Sequence, residues 1–264
     1  MSPADPHALL DLAVRAAQAA GALLVDRFHR PASGVELKSS QTDPVSDADR
    51  DAEELITGLL RDERPGDSVL GEEGAGTTGV SGLGWVVDPL DGTVNFLYGI
   101  PQWAVSIACR DALGTLIAVV HDPLHGETFC ALRGEGTSCN GRPLRIAAAP
   151  PLDQALVGTG FSYVASERQL QTELFVRVLP RARDIRRAGS AALDLAWVAA
   201  GRLDAFYEHG LKEWDHAAGD LLVSEARGLV QALPPAGGLR SGVLAGPPEL
   251  VAELALLLQA EVAV

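Results

Sequence analysis

Four acidic segments in this chain of 264 residues have the types and spacing to do chemistry. They are Asp43 to Asp49, Gly71-Glu72-Glu73-Gly74, Asp88-Pro89-Leu90-Asp91-Gly92-Thr93, and Trp214-Asp215. Each has an ordinary explanation alone: helix-start charges, a solvated strand end, an Asp-Pro-Gly turn, a helix N-cap. Together they form a set of oxygen donors without His or Cys, which selects a hard cation such as Mg²⁺ over zinc. Two such ions ~4 Å apart can clamp the attacking and leaving oxygens of an in-line phosphoryl displacement. The third segment follows the apolar run Trp85-Val86-Val87 and can aim Asp88 and Asp91 at one point, where the N–H groups of Gly92 and Thr93 offer a nest for an anion. With no motif for a nucleophilic Ser, Cys or His, the chemistry that fits is direct attack by metal-bound water.

Other motifs fail on context. Gly74-Ala75-Gly76-Thr77-Thr78-Gly79 spells GxGxxG, but a dinucleotide site needs these glycines to open a helix. Val80-Ser81-Gly82-Leu83-Gly84 cannot sustain one, so the segment reads as a loop. The two lysines, Lys38 and Lys212, each follow a leucine, which excludes a Walker A loop. No GxSxG or HExxH occurs. His121 and His125 are separated by Pro123 and read as surface loop histidines. Cys109, Cys130 and Cys139 are too few and too irregular for a disulfide framework or zinc knuckle, and read as reduced core or half-buried thiols.

The elements that must position the acidic segments follow from periodicity. Asp5 as N-cap and Pro6 open a helix whose apolar positions run from Leu9 to Leu24, ending near Arg30. Leu37 to Pro44 reads as a loop, and Ser46 caps a second helix from Asp47 to about Arg64. Ser68–Leu70, Trp85–Val87, Ala104–Ala108, Thr115–Val120 and Glu127–Leu132 read as strands, and Asn140-Gly141 as a hairpin turn. These predict an antiparallel sheet over two helices. After about Pro150 strands alternate with helices: strand Leu156-Val157, a helix capped by Ser166 and ending at Leu179, and a helix from Ser190 to Ala200. Then come strand Ala205–Tyr207, helix Trp214–Arg227, strands Leu229–Leu233 and Val243–Ala245, and a terminal helix opened by Pro247-Pro248. The chain therefore divides into an α+β part, 1–150, and an α/β part, 151–264. No polar linker separates them, so they are expected to pack as one unit. Residues 74–84 and 234–242 are Gly-rich and read as mobile loops.

Composition narrows the function classes. A hydrophobic fraction of 47% with 21% charged residues is that of a globular protein. A net charge of −14 disfavours direct contact with nucleic acid or anionic membrane. Charges at Asp5, Asp11, Asp26 and Arg27 interrupt the first apolar runs, so neither a signal peptide nor a membrane span is expected, and a cytoplasmic location is.

Glu72-Glu73, Asp88 to Thr93, and Trp214-Asp215-His216-Ala217-Ala218-Gly219 resemble, in order and approximate spacing, the three motifs of the inositol monophosphatase family. The run from Arg186 to Leu195 and the segment through Glu208 are also similar, and the likeness covers nearly the whole chain. It implies a five-layered α-β-α-β-α sandwich of the inositol monophosphatase/fructose-1,6-bisphosphatase type, α+β and α/β in its two parts, as a homodimer. It also implies Mg²⁺-dependent, lithium-sensitive hydrolysis of myo-inositol 1-phosphate, with two or three ions per active site. By the resemblance, Glu72, Asp88 and the Leu90 carbonyl form the first metal site, and Asp88, Asp91 and Asp215 the second. Asp49 hydrogen-bonds Thr93, and with Glu72 that pair orients and deprotonates the water. Gly92 and Thr93 hold the phosphate; Gly189, Ser190, Ala191, Glu208 and Asp215 contact the substrate; and Lys38 lies in an active-site loop. Residues 1–150 thus carry most metal ligands, and 151–264 the substrate contacts and Asp215. Two departures are visible: a short loop from Glu72 to Asp88, and Arg227 where the family has glycine, which implies an altered turn. Alternative substrates are histidinol phosphate or another small sugar or nucleotide phosphate, since relatives cleave histidinol phosphate, fructose 1,6-bisphosphate, nucleotide 3′-phosphates or NADP; a bisphosphate calls for extra basic groups near Glu208, where Lys212 is near in sequence and Arg186 and Arg187 lie further back. A protein-binding role beside catalysis is the non-enzymatic alternative.

Overall fold

The computed structural model describes residues 5–28, 30, 34–37, 44–74 and 76–259. Helices α1 (Pro6–Phe28) and α2 (Asp47–Glu63) flank the short strands β1 (Glu36–Leu37) and β2 (Pro44–Val45). Then follow β3 (Ser68–Gly71), β4 (Gly76–Thr77), β5 (Gly84–Asp91), α3 (Thr93–Leu97), β6 (Ala104–Asp111), β7 (Gly114–Asp122), β8 (Glu127–Leu132), β9 (Gly136–Cys139) and β10 (Arg142–Leu144). The remainder is β11 (Leu156–Thr159), α4 (Ala165–Val178), β12 (Asp184–Arg186), α5 (Ala191–Ala199), β13 (Ala205–His209), α6 (Glu213–Glu225), β14 (Leu229–Leu233), β15 (Gly242–Gly246) and α7 (Pro248–Gln259).

An eight-stranded sheet runs β10-β9-β8-β7-β6-β5-β3-β4, and a five-stranded sheet β12-β11-β13-β15-β14. In the first only β3 and β5 are parallel; in the second β11 is parallel to β12 and β13. Helices α1 and α2 cover the outer face of the large sheet, α5 and α6 lie between the sheets, and α4 and α7 cover the far face of the small one. This is the expected five-layered sandwich. Three apolar clusters fill its interfaces. On β5, Trp85 and Val87 join the outer cluster and Val86 the middle one, the period-2 alternation of a strand buried on both faces. Leu244, Val251 and Leu254 belong to the third.

Local chemistry sets the element ends. The Asp5 carboxylate accepts the His7 N–H at 3.0 Å ahead of α1. Ser46 and Asp49 form a capping box at α2: the Ala48 N–H reaches Ser46 Oγ at 3.2 Å, and the Ser46 N–H reaches Asp49 Oδ2 at 2.9 Å. Helix α5 ends before Gly201, which takes a left-handed φ of +71°.

The structure corrects several expectations. Ser166 lies inside α4, whose N-cap is Val164; the turn before the helix is set by Ser162 Oγ, which accepts the Val164 N–H at 3.0 Å. His121 is not a surface loop residue. It lies on β7, buried against Gly21 and 3.0 Å from Thr128 Oγ1, while His125 in the turn pairs with Asp122. The supposed loop 74–84 supplies β4, paired with Val69-Leu70, and Ala236 bridges Leu239 within 234–242. The Leu37–Pro44 loop begins and ends in paired strands, β1 and β2. Asp88 to Asp91 continue β5 rather than leaving it as a free turn, and the single-turn helix α3 that follows has too few residues for periodicity to reveal.

Candidate active site

Strand β5 aims two carboxylates by an irregularity. Against β6, Asp88 pairs with Ser106 and Asp91 with Ala104, so one extra residue bulges between them. Pro89, with no N–H to donate, suits the bulge. Asp88 Oδ1 accepts the Leu90 N–H at 3.0 Å, which fixes the turn of the chain. Gly92 then takes φ +103°. A Cβ there would lie 2.9 Å from the Gln102 carbonyl oxygen and 3.1 Å from Trp103 Cβ, so the position requires glycine. Phe96 on α3 packs tilted or edge-on against Phe28 and Trp103 and anchors the motif in the outer core.

Glu72 reaches the same place through the parallel pairing of β3 with β5. Its N–H donates to the Val87 carbonyl at 3.2 Å, one residue before Asp88. The adjoining Glu73 N–H donates to Glu53 on α2 at 2.8 Å, which ties the turn down. Thr93 Oγ1 lies 2.9 Å from Asp49 Oδ1 and 3.1 Å from the Leu90 carbonyl. Its single proton goes to the carboxylate, the stronger acceptor, which leaves the Leu90 oxygen with lone pairs to give. Asp49 is fully buried; burial pushes its carboxyl up, against the hydrogen bonds from Ser46 and Thr93.

The second half of the chain is docked onto this motif. Asn95 on α3 donates to the Gln102 and Ala188 carbonyls at 2.7 and 2.8 Å, which places the turn before α5. Asp91 Oδ2 accepts the Ser190 hydroxyl at 2.6 Å and the Ala192 N–H at 2.7 Å, so it caps α5 from outside the helix. Asp215 stands in the first turn of α6, not at its N-cap. Lys212 is the cap, and its N–H donates to Asp215 Oδ2 at 2.6 Å. Glu208 projects from β13 onto the bare Cα of Gly160, where a Cβ would meet its carboxylate at 2.0–2.3 Å.

A cavity of about 470 Å³ opens over these groups. Its wall brings together Glu72, Asp91, Gly189, Ser190, Ala191, Glu208 and Asp215 from the sequence-derived set. Asp49, Asp88, Leu90, Gly92 and Thr93 are not on the wall but lie in the motif behind it, all buried. Lys38 lies outside the described residues. The wall also holds residues that sequence reasoning did not assign: Phe161, Glu167, Arg187, Asp194, Lys212 and Arg240. Along the chain Arg187 lies 21 residues before Glu208, and Arg240, in the Gly-rich stretch 234–242, carries no signal.

The carboxylates strain against one another. Burial, then the charges of Glu72, Asp91 and Asp215, hold Asp88 well above the usual carboxylate range. Burial and the charges of Asp91, Glu72 and Glu208 do the same to Asp215, against the Lys212 hydrogen bond. Burial raises Asp91 to about 7, opposed by Ser190 and Ala192, and raises Glu208 to about 8, opposed by Arg187. Among the described residues no Lys, Arg or His side chain is ion-paired with Asp88, Asp91 or Asp215.

This donor chemistry fits a hard divalent cation, which would remove the repulsion. No three described His, Cys, Asp or Glu side chains are gathered tightly enough to cage an ion as they stand. Mg²⁺ does not need that, since it binds through one or two carboxylates and keeps several waters.

The comparisons agree with the geometry. The model of the inositol monophosphatase family matches residues 5–261. An inositol-1-monophosphatase of Mycobacterium bovis is 47% identical over 235 residues, 85% of this chain and 81% of that protein. The Nus factor SuhB of Escherichia coli K12 is 41% identical over 251 residues, 93% of each chain. The extragenic suppressor protein suhB of Bartonella henselae has a solved structure that matches with a TM-score of 0.90 at 37% identity, covering 97% of this chain and all of that one. A bulged strand carrying two aspartates, a facing glutamate and an aspartate at a helix start thus coincide with a match from end to end: the chain belongs to the inositol monophosphatase family.

Proposed function

We propose that this protein is a Mg²⁺-dependent phosphatase that hydrolyses myo-inositol 1-phosphate to inositol and phosphate. The observation that carries the reading is the single cavity with Glu72, Asp91 and Asp215 on the same wall as Glu208 and the Gly189–Ala191 turn. Glu72, Asp88, the Leu90 carbonyl, Asp91 and Asp215 would hold two or three Mg²⁺ ions. Bound Mg²⁺ would neutralise these carboxylates, offset the phosphate charge and acidify a water.

The chain's own groups do the rest. Thr93, its proton given to Asp49, presents an oxygen that can only accept, and so orients a water by one of that water's hydrogens. Glu72 takes the water's proton as it attacks phosphorus. The Gly92 and Thr93 N–H groups bind phosphate oxygens. Glu208 accepts hydrogen bonds from ring hydroxyls, with Ser190 and the adjoining backbone of Gly189 and Ala191 beside it. In this reading residues 1–150 supply most metal ligands, and residues 151–264 supply the polyol contacts and Asp215.

The same reading takes the protein as a lithium-sensitive cytoplasmic homodimer. Helix α1 is long and apolar enough to cross a membrane by length and composition, yet its Ala13, Ala16, Ala17 and Ala20 face is buried in the outer core. The relatives named Nus factor SuhB favour a second reading, protein binding beside catalysis, which an Asp88→Asn variant that loses turnover but keeps its cellular role would support.

The test is phosphate release from inositol 1-phosphate and histidinol phosphate in parallel, with and without Mg²⁺ and Li⁺. Mg²⁺-dependent, Li⁺-sensitive release favouring inositol phosphate is expected. Release favouring histidinol phosphate would replace the substrate, and no release from either would overturn the phosphatase reading.

A further inference from the structure

Glu208 is not the only carboxyl on its side of the cavity. Asp194, in the first turn of α5, donates its N–H to the Ser190 carbonyl at 3.0 Å, so it follows Ser190 by one helical turn. Residues four apart share a helix face, and both side chains line the cavity. The Ser190 hydroxyl is already spent: it donates to Asp91 at 2.6 Å and accepts the Leu193 N–H at 3.3 Å. Helix α5 packs against β13, the strand that carries Glu208. Asp194 is accordingly within electrostatic reach of both groups, since the Asp91 charge acts on it and its own charge acts on Glu208.

Asp194 has nothing to bond to in the fold itself. The residue is 1% exposed, and its Oδ1 is buried with no hydrogen-bond partner among the described residues. Other buried side-chain atoms share that state, on Gln102, Trp103, Trp197, Tyr207 and Asp220, but of these residues only Asp194 lines the cavity. Its neighbours on the wall are provided for: Asp91 by Ser190 and Ala192, Asp215 by the Lys212 N–H, Glu167 by Ser162. An acid in the first turn gains from the helix dipole, but the dipole fills no lone pair, and buried polar groups are as a rule hydrogen-bonded. Burial, then the Asp91 charge, hold the Asp194 carboxyl well above the usual carboxylate range, opposed by Arg187. As a neutral acid it can both donate and accept.

We propose that Asp194 is a second polyol contact, whose carboxyl binds a ring hydroxyl beside the one taken by Glu208 and so helps to select a polyhydroxylated leaving group. The proposal rests on the phosphatase reading and deepens it. Each ring hydroxyl is one donor and an acceptor, so carboxyls on two facing elements can hold two hydroxyls of one ring. A site built to hydrogen-bond a hydroxyl also rejects an analogue that lacks it, because the site's buried polar groups are then left unpaired.

The experiment compares kcat/KM on inositol 1-phosphate and on p-nitrophenyl phosphate for the wild type, Asp194→Asn and Asp194→Leu. Leucine has a similar shape and no polar atom; asparagine keeps a donor and an acceptor. Asp194→Leu should lose about tenfold more on inositol 1-phosphate than on p-nitrophenyl phosphate, and Asp194→Asn should recover most of that difference. In EDTA, Asp194→Leu should also raise Tm, since it removes a buried polar atom without a partner. Should Asp194→Leu fail to fold, Asp194→Ala, which adds no bulk, takes its place for the kinetic comparison. Equal losses on both substrates, no loss on inositol 1-phosphate, or a loss in Asp194→Asn as large as in Asp194→Leu would overturn the contact. If the wild type hydrolyses neither substrate, the phosphatase reading fails. Calorimetric titration of myo-inositol then decides the contact alone: weaker binding by Asp194→Leu than by Asp194→Asn supports it, and equal binding, or none by the wild type, overturns it.

Discussion

Gly160→Ala tests the polyol contact without touching the reacting atoms. The Glu208 carboxylate lies on the bare Cα of Gly160, and an added Cβ would stand 2.0 Å from Oε2, 2.2 Å from Cδ and 2.3 Å from Oε1. Ordinary contact begins near 3.4 Å, so the carboxylate must retreat by about 1.4 Å. A hydrogen bond tolerates only a few tenths of an ångström around its ~2.7–3.2 Å range, so any bond from a ring hydroxyl to Glu208 is broken. Losing one bond to a charged group costs about 1.5–3 kcal/mol, or about 10- to 100-fold in kcat/KM. Gly160 does not use a left-handed backbone, so alanine adds no φ strain of its own. The assay is kcat/KM on inositol 1-phosphate beside p-nitrophenyl phosphate, which has no ring hydroxyls, with a thermal melt to verify folding. Loss on the first substrate alone is expected. An unchanged value on inositol phosphate, or equal loss on both, would refute the assignment of Glu208.

Asp88→Asn should nearly abolish Mg²⁺-dependent turnover and shrink the rise in Tm that Mg²⁺ gives the wild type, because one carboxylate is assigned to both ions; near-normal kcat would break the shared-ligand assignment. In EDTA, stability should fall as pH rises from 5 to 8. Asp91 and Glu208 have folded-state pKa values raised to about 7 and about 8, so the folded protein keeps protons that the unfolded chain has released, and the advantage is lost as pH passes those values. Mg²⁺ should restore more Tm at pH 8 than at pH 5, and a Tm that rises with pH in EDTA would contradict the burial of these groups. Arg227→Gly should stabilise the protein by about 1 kcal/mol, since Arg227 takes φ +71° just past α6 where glycine is free of strain. A Tm rise of roughly 2–4 °C without loss of activity is the expected readout, and a fall in Tm would rule out strain at this turn.

The sequence already holds the architecture, because both kinds of period are clean. Helices α1 and α2 carry stripes at 3.6-residue spacing, and α2 a capping box, Ser46 with Asp49. The strands β5, β6 and β7 read as apolar runs because both their faces are covered. At Arg227, where an altered turn was expected, the chain keeps the left-handed φ of +71° that a glycine takes just past a helix end. What escaped was set by register and by contacts distant in sequence. Helix α3 is too short to show a period. His121 is buried through its strand's facing, which its neighbours Pro123 and His125 obscure. Arg240 lies 32 residues beyond Glu208 in a Gly-rich stretch, and only the pairing of β13 with β15 brings it to the cavity. Along the chain, of the basic groups only Lys212 lies near Glu208, with Arg186 and Arg187 further back.

The residues of the candidate site are also the residues that join the two sheets, which decides how it should be probed. Asp91 gives one carboxylate oxygen to the Ser190 hydroxyl and the Ala192 N–H, and so finishes the N-terminus of α5 in the layer between the sheets. Asn95, four residues on, ties α3 to the Ala188 carbonyl ahead of the same helix. Removing the Asp91 side chain would therefore take away a proposed cation ligand and a helix cap together, and a cap alone is worth ~1 kcal/mol. Loss of activity in such a variant would not separate chemistry from docking. Asp88 accepts the Leu90 N–H within its own turn and otherwise meets the facing Glu72 carboxyl, so its replacement by the isosteric Asn keeps an acceptor in the turn, leaves both helix ends alone and removes the charge. Of the aspartates on β5, Asp88 is accordingly the one whose variants report on the cation, and Asp91 the one whose variants report on how the second sheet is held to the first.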